Sequence, residues 1–125
     1  QVEIGAKAGQ PFTEADAELT KAVGALWGAL HVETKKNNAE HFIPLTVDPL
    51  VKFGDSNQGY GERAPNRLNE QQFASVKGLV GHQHAPHNTH WDPGAIDPNK
   101  LIPIAQQVAN GGGVAESTAQ PVGAA

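Results

Sequence analysis

From Leu19 onward, apolar residues recur with the period of an α-helix. Leu19, Ala22, Val23, Leu26, Trp27 and Leu30 stand at i, i+3, i+4, i+7, i+8 and i+11. Such a stripe is stable only when another apolar surface covers it. The spacing predicts one helix over 14–31. Thr13 is its expected N-cap, with Asp16 three residues on as an approximate capping box. Glu14, Asp16 and Glu18 suit the positive end of the helix dipole.

The segments that should cover this helix are shorter. Val2 and Ile4 alternate with Gln1 and Glu3, a strand pattern over 1–6. Residues 32–41 are polar and read as a loop. Phe42 to Val47 reads as a short buried strand held to an edge by Pro44. Residues 48–66, rich in Gly, Asp, Asn and Pro, form a long connection of the kind that borders a groove. Asn69 caps a short helix with Gln72 at the capping-box position, turning Phe73 and Val76 inward. Gly78-Leu79-Val80-Gly81 reads as a compact strand that delivers His82. Asp97-Pro98 opens a last helix with Leu101, Ile102, Ala105 and Val108 on one face, kinked or delayed by Pro103. Helices alternating with apolar strands predict an α/β domain, a mixed central sheet flanked by helices. The domain is expected over 1–109, with a Gly/Ala-rich linker or tail over 110–125.

Composition removes several function classes. Nine basic against thirteen acidic side chains give a net charge of -4, which argues against nucleic-acid or anionic-membrane binding. No apolar run approaches the ~20 residues of a membrane span. With no cysteine, disulfides, thiolate metal sites and a cysteine nucleophile are excluded. The sequence begins at Gln1 and has no methionine, which reads as a processed chain or the C-terminal part of a longer domain.

Four of the six histidines lie within nine residues, in Gly81-His82-Gln83-His84-Ala85-Pro86-His87-Asn88-Thr89-His90-Trp91-Asp92-Pro93-Gly94. Imidazole and carboxylate are ordinary zinc ligands, and a catalytic zinc takes three protein ligands plus water. His82 at a strand end and Asp92 before a Pro-Gly turn can meet, because the turn swings the carboxylate back. His84, two residues beyond His82, is an alternative partner if the strand continues. The bland reading of each histidine is a solvated loop residue.

Gly81-His82, with Asp92-Pro93-Gly94 beginning ten residues after the histidine, resembles the zinc-binding segment of the type 2 N-acetylmuramoyl-L-alanine amidases, the family of T7 lysozyme and the peptidoglycan-recognition proteins. The longer string through Asp97 looks most like amidase domains in endolysins of phages that infect actinobacteria. Weaker similarity extends over about residues 1–108, through Val2-Glu3-Ile4, the 14–31 helix, Ile43-Pro44-Leu45 and the stretch from Arg67-Leu68 to Gly78. The resemblance implies a zinc enzyme that cuts the bond between N-acetylmuramic acid and the L-alanine of the stem peptide in peptidoglycan, outside the cytoplasm. It implies that His82 and Asp92 bind Zn2+, that His90 steadies the oxyanion, and that Glu3 helps activate the attacking water. Trp91 is expected to pack under the loop. Tyr60 and Arg63 are candidate contacts to sugar or peptide, and His84 and His87 remain loop residues. The family's first zinc ligand comes from an earlier strand, which is expected upstream of Gln1, and a cell-wall-binding module is an expected neighbour. Two further readings stand beside this one: an amidase-like module that binds peptidoglycan without turnover, and an unrelated metal-buffering histidine loop.

Overall fold

The computed structural model describes Val2, Ile4 and residues 9–112, and within these the architecture is helical. The helices are α1 (Phe12–Ala15), α2 (Ala17–Asn37), α3 (Ser56–Gly59), α4 (Glu70–Ser75) and α5 (Pro98–Ala109). The long helix starts later and ends later than its apolar stripe suggests. Asp16, not Thr13, is its N-cap, accepting the Leu19 N–H at 2.9 Å. Thr13 is instead buried, and its hydroxyl accepts the Asp97 N–H at 2.9 Å, tying α1 to the start of α5. At the other end, residues 32–37 are helical rather than loop, and Asn38 stops the helix by turning its carboxamide onto the N–H groups of Glu40 and His41.

α2 and α5 form the main helix pair. Phe12, Trp27, Ile96, Leu101 and Ala105 make the buried core, with Val23, Ile43, Leu45, Val47, Phe53 and Leu79 packed against it. Gly24 and Gly28 let the two helices close on each other. A Cβ on Gly28 would stand 2.4 Å from the Ala105 carbonyl oxygen, and one on Gly24 2.8 Å from Ile104. α5 runs regularly from Pro98 through Pro103, so the inner proline does not delay it. Asn69 and Gln72 form the expected reciprocal cap of α4.

The expected α/β sheet is not formed: there is no strand or sheet among the described residues. Phe42–Val47 and Gly78–Val80 meet at one antiparallel bridge, Val47 to Gly78, with the Leu79 N–H donating to the Thr46 oxygen at 3.0 Å. The reason lies in α2. Its Trp27 indole donates to the Pro44 oxygen at 3.1 Å, and its His31 Nδ1 lies 2.7 Å from the Ile43 oxygen. The Thr34 hydroxyl accepts the Ile43 N–H at 3.0 Å. Side chains of a helix thus take the backbone groups that a neighbouring strand would otherwise pair, while Ile43, Leu45 and Val47 still pack on the core. Gly78, at φ +95°, turns so close to Thr46 that no Cβ fits there, which ends the pairing after one bridge. Val2 and Ile4 belong to no strand; the rest of the expected strand over 1–6 lies outside the described residues. No helix among the described residues is long and apolar enough to cross a membrane.

Candidate metal centre

His82 sits not on a strand end but in a 3₁₀ turn, His82–His84. That turn is closed by the His84 N–H on the Gly81 oxygen and the Ala85 N–H on the His82 oxygen. Ten residues on, the chain returns through a second turn, in which the Gly94 N–H reaches the Trp91 oxygen at 3.1 Å and the Asp92–Pro93 peptide is cis. The two turns are joined by the Gln83 N–H on the Asp92 oxygen at 3.0 Å. Gly81 makes the approach possible, since a Cβ there would lie 2.4 Å from Pro93 Cδ and 3.2 Å from the Asp92 oxygen.

The approach brings three side chains together. His82 Nδ1 is 3.4 Å and His90 Nδ1 3.6 Å from Asp92 Oδ1. The two imidazoles stack, with centroids 4.2 Å apart and planes 12° from parallel. One ligand atom from each of His82, His90 and Asp92 lies within 4.8 Å of the others, so the group could hold a metal ion. Of the residues singled out in the sequence, His82 and Asp92 therefore meet, and His90 joins them in the same cluster. His82 and Asp92 also line an apolar cavity of about 500 Å³, whose walls include Val23, Trp27, Ile43, Phe53 and Leu79.

The alternative pairing of His82 with His84 is absent. His84 is fully buried, its ring edge-on to Phe53 at 4.7 Å. Its Nδ1 accepts the Gly81 N–H at 2.8 Å and its Nε2 stands 2.8 Å from the Lys52 oxygen, which requires the proton on Nε2. Neither nitrogen is left for a metal. Burial pushes its pKa below the ordinary 6.5, outweighing the upward pull of those two backbone contacts, and the charge of Arg67 adds to the depression.

Sequence reasoning missed the polar groups that shape this loop. Gln83 is fully buried and uses its whole carboxamide. Its Oε1 accepts from the Gly54 N–H and Asn66 Nδ2, both at 2.9 Å, and its Nε2 reaches the oxygens of Trp91, Gly54 and Gly94. Arg67 fans its guanidinium over carbonyls of Gly59, Gly61, Gln83 and His90. Burial depresses its pKa, and Glu62 draws it partly back. The sequence signal for Arg67 is its place in the weakly similar stretch from Arg67 to Gly78, and for Gln83 its place in the Gly81-to-Asp97 string; neither signal points to a role in shaping the loop.

Of the remaining candidates, Glu3 lies outside the described residues. Tyr60 is exposed, next to Gly61, whose N–H donates to the Thr89 oxygen at 3.0 Å, so the 48–66 connection abuts the residue before His90. Arg63 lines a separate open cleft of about 620 Å³ with Glu62, Glu70 and His87. There His87 Nε2 contacts Glu70 at 2.9 Å from a backbone at φ +60°. Trp91 is half-buried, against Gly59 and Gly94. Compared with protein families, curated proteins and solved structures, the chain matches none.

Proposed function

We propose that this chain is a zinc-dependent peptidoglycan hydrolase, acting outside the cytoplasm on the amide between N-acetylmuramic acid and L-alanine of the stem peptide. The observation that carries the reading is the convergence of His82, His90 and Asp92 within the one segment whose residues resemble the type 2 amidases. The site segment, not the helical fold, supports it. Two imidazole nitrogens and a carboxylate oxygen are a donor set suited to zinc. Bonds of about 2.0–2.1 Å in a tetrahedron put ligand atoms roughly 3.3–3.4 Å apart, close to the 3.4 and 3.6 Å from Asp92 to the two histidines.

His82, His90 and Asp92 would hold the ion. Bound there, zinc supplies Lewis acidity toward the scissile carbonyl and lowers the pKa of a water toward ~7. The chain's own residues do the rest. The carboxylate of Asp92, with Oδ1 near both imidazole nitrogens, would offset the ion's charge. An apolar cavity adjoins His82 and Asp92, while the side chains of all three residues stay open to solvent, so water and substrate can both reach the site. Glu3 is the proposed proton acceptor, returning the proton to the leaving amine of L-alanine. Tyr60 and Arg63 are proposed contacts to sugar or peptide.

Elemental analysis after dialysis against a weak chelator, paired with release of stem-peptide amine from purified peptidoglycan, tests this. One zinc per chain and amine release are expected, and both disappear in His82→Ala and Asp92→Ala. His90→Ala separates two roles: loss of zinc makes it a ligand, whereas retained zinc with hydrolysis down about 10²–10³-fold makes it the oxyanion donor. Zinc and peptidoglycan binding without amine release would replace the enzyme by a non-catalytic peptidoglycan-binding module. A chain that takes neither zinc nor peptidoglycan overturns both.

A further inference from the structure

We infer that Arg67 and Asn88 are positioning residues of the metal centre, a brace that holds the backbone of His82 and His90 at the separation the site needs. The inference rests on the metal reading above, but it can be tested without metal. The loop from His82 to Asp92 has no strand partner to fix it, yet two of its ligands stack within a few ångströms. Something outside regular secondary structure must set that spacing. Asn88 is built for it: its Nδ2 donates to the His82 oxygen at 3.3 Å and the Ala85 oxygen at 2.5 Å, while its Oδ1 accepts the His90 N–H at 2.7 Å. One carboxamide therefore spans the main chain of both histidines.

Arg67 holds the same span. Its Nη1 donates to the Gln83 oxygen at 2.7 Å and the His90 oxygen at 2.8 Å, and lies 3.4 Å from Asn88 Oδ1 and 3.5 Å from the His82 oxygen. Nη2 anchors the guanidinium on the Gly59 and Gly61 oxygens. No carboxylate contacts this cation among the described residues; carbonyls and one carboxamide meet its two Nη groups, while Nε is buried without a partner. A planar fork with five donors can serve carbonyls on two loops at once, which a lysine ammonium cannot do with the same geometry. Partners behind metal ligands commonly change affinity 10–100-fold when removed.

The test compares wild type with Asn88→Ala, Asn88→Asp and Arg67→Lys. The first readout, on metal-free protein, is the NMR cross-relaxation peak between ring protons of His82 and His90. The second is affinity for zinc chloride in competition with a chromophoric chelator. The urea midpoint serves as the control for global stability. In wild type the peak is expected; Asn88→Ala removes it and weakens zinc 10–100-fold with the midpoint little changed. Asn88→Asp, which keeps the acceptor for the His90 N–H, retains the peak in part. Arg67→Lys moves both readouts in the direction of Asn88→Ala, and if that variant does not fold, the two Asn88 variants decide alone. Asn88→Ala with the peak intact and zinc affinity within twofold of wild type overturns the brace, as does a wild type without the peak. Should wild type take no zinc while Asn88→Ala still abolishes the peak, the brace stands and the zinc reading falls.

Discussion

His82 and His84 are two residues apart and have opposite chemistry, set by burial and by the backbone groups that meet each ring. His82 keeps a nitrogen toward Asp92 at the surface, while His84 spends both nitrogens on backbone groups in the interior. A buried imidazole with a depressed pKa makes stability depend on pH with a definite sign. Above the unfolded value of about 6.5 both states are neutral, and the full stability is present. As pH falls below that value, the unfolded chain binds a proton that folded His84 refuses. Stability then drops by at most about 1.4 kcal/mol per pH unit, until the lower folded pKa is reached. Urea midpoints measured from pH 7.5 to 5 should fall over that range, and His84→Gln should flatten the fall. His84→Ala should cost roughly 2–4 kcal/mol at pH 7.5, because it leaves a cavity and strands the Gly81 N–H and Lys52 oxygen. Gly81 acts at the same scale but on the site itself. Gly81→Ala should push Pro93 and Asp92 away from the 3₁₀ turn and weaken zinc binding more than it lowers the urea midpoint; equal loss of both would make Gly81 a folding residue only. In the sequence the His82–Asp92 pair was legible, since chemistry and a Pro-Gly turn at fixed spacing are local signals. The buried fate of His84 was not, because it depends on Lys52 and Phe53, some thirty positions away.

At the scale of elements, α2 was legible as a helix because its period is written in consecutive side chains, but its ends were not. Both ends are decided by short polar side chains competing for backbone groups: Asp16 starts it and Asn38 stops it. The apolar segments 42–47 and 78–80 carry the right composition for strands and bury the right side chains. What they lack is a ladder, since Trp27, His31 and Thr34 of α2 take the polar groups of Ile43 and Pro44. Alternation in a sequence reports burial on one face; it does not report what pairs with the backbone. The α2–α5 contact was equally hidden, because Gly24 and Gly28 look like helix weaknesses until the partner helix is in place. Gly28→Ala should raise helix propensity and still destabilise the protein by about 1–3 kcal/mol, since its Cβ would meet the Ala105 carbonyl. A urea midpoint equal to or above that of wild type would mean that the two helices do not pack this closely in solution.

For the molecule as a whole, the candidate centre joins parts of the chain that the helix pair does not hold. Its ligands lie on the 82–92 loop, which reaches the rest of the protein through Gln83 to Gly54, through Arg67 to Gly59 and Gly61, and through the apolar cavity beside α2. An ion bound to His82, His90 and Asp92 would cross-link both turns of that loop and so act on global stability. A ligand that binds only the folded state adds about 2.7 kcal/mol at a concentration 100 times its Kd, which for a domain of this size raises Tm by roughly 10 °C. Scanning calorimetry with zinc chloride should show that rise, chelator should reverse it, and Asp92→Ala should abolish it. The rise should also shrink in acid, because imidazole binds a metal only when deprotonated. Magnesium should give no comparable shift, since it favours oxygen ligands and six-fold coordination over imidazole nitrogen. A Tm that ignores zinc in wild type, or responds equally in Asp92→Ala, would detach the His82–His90–Asp92 group from metal binding and leave it as two stacked imidazoles beside a carboxylate.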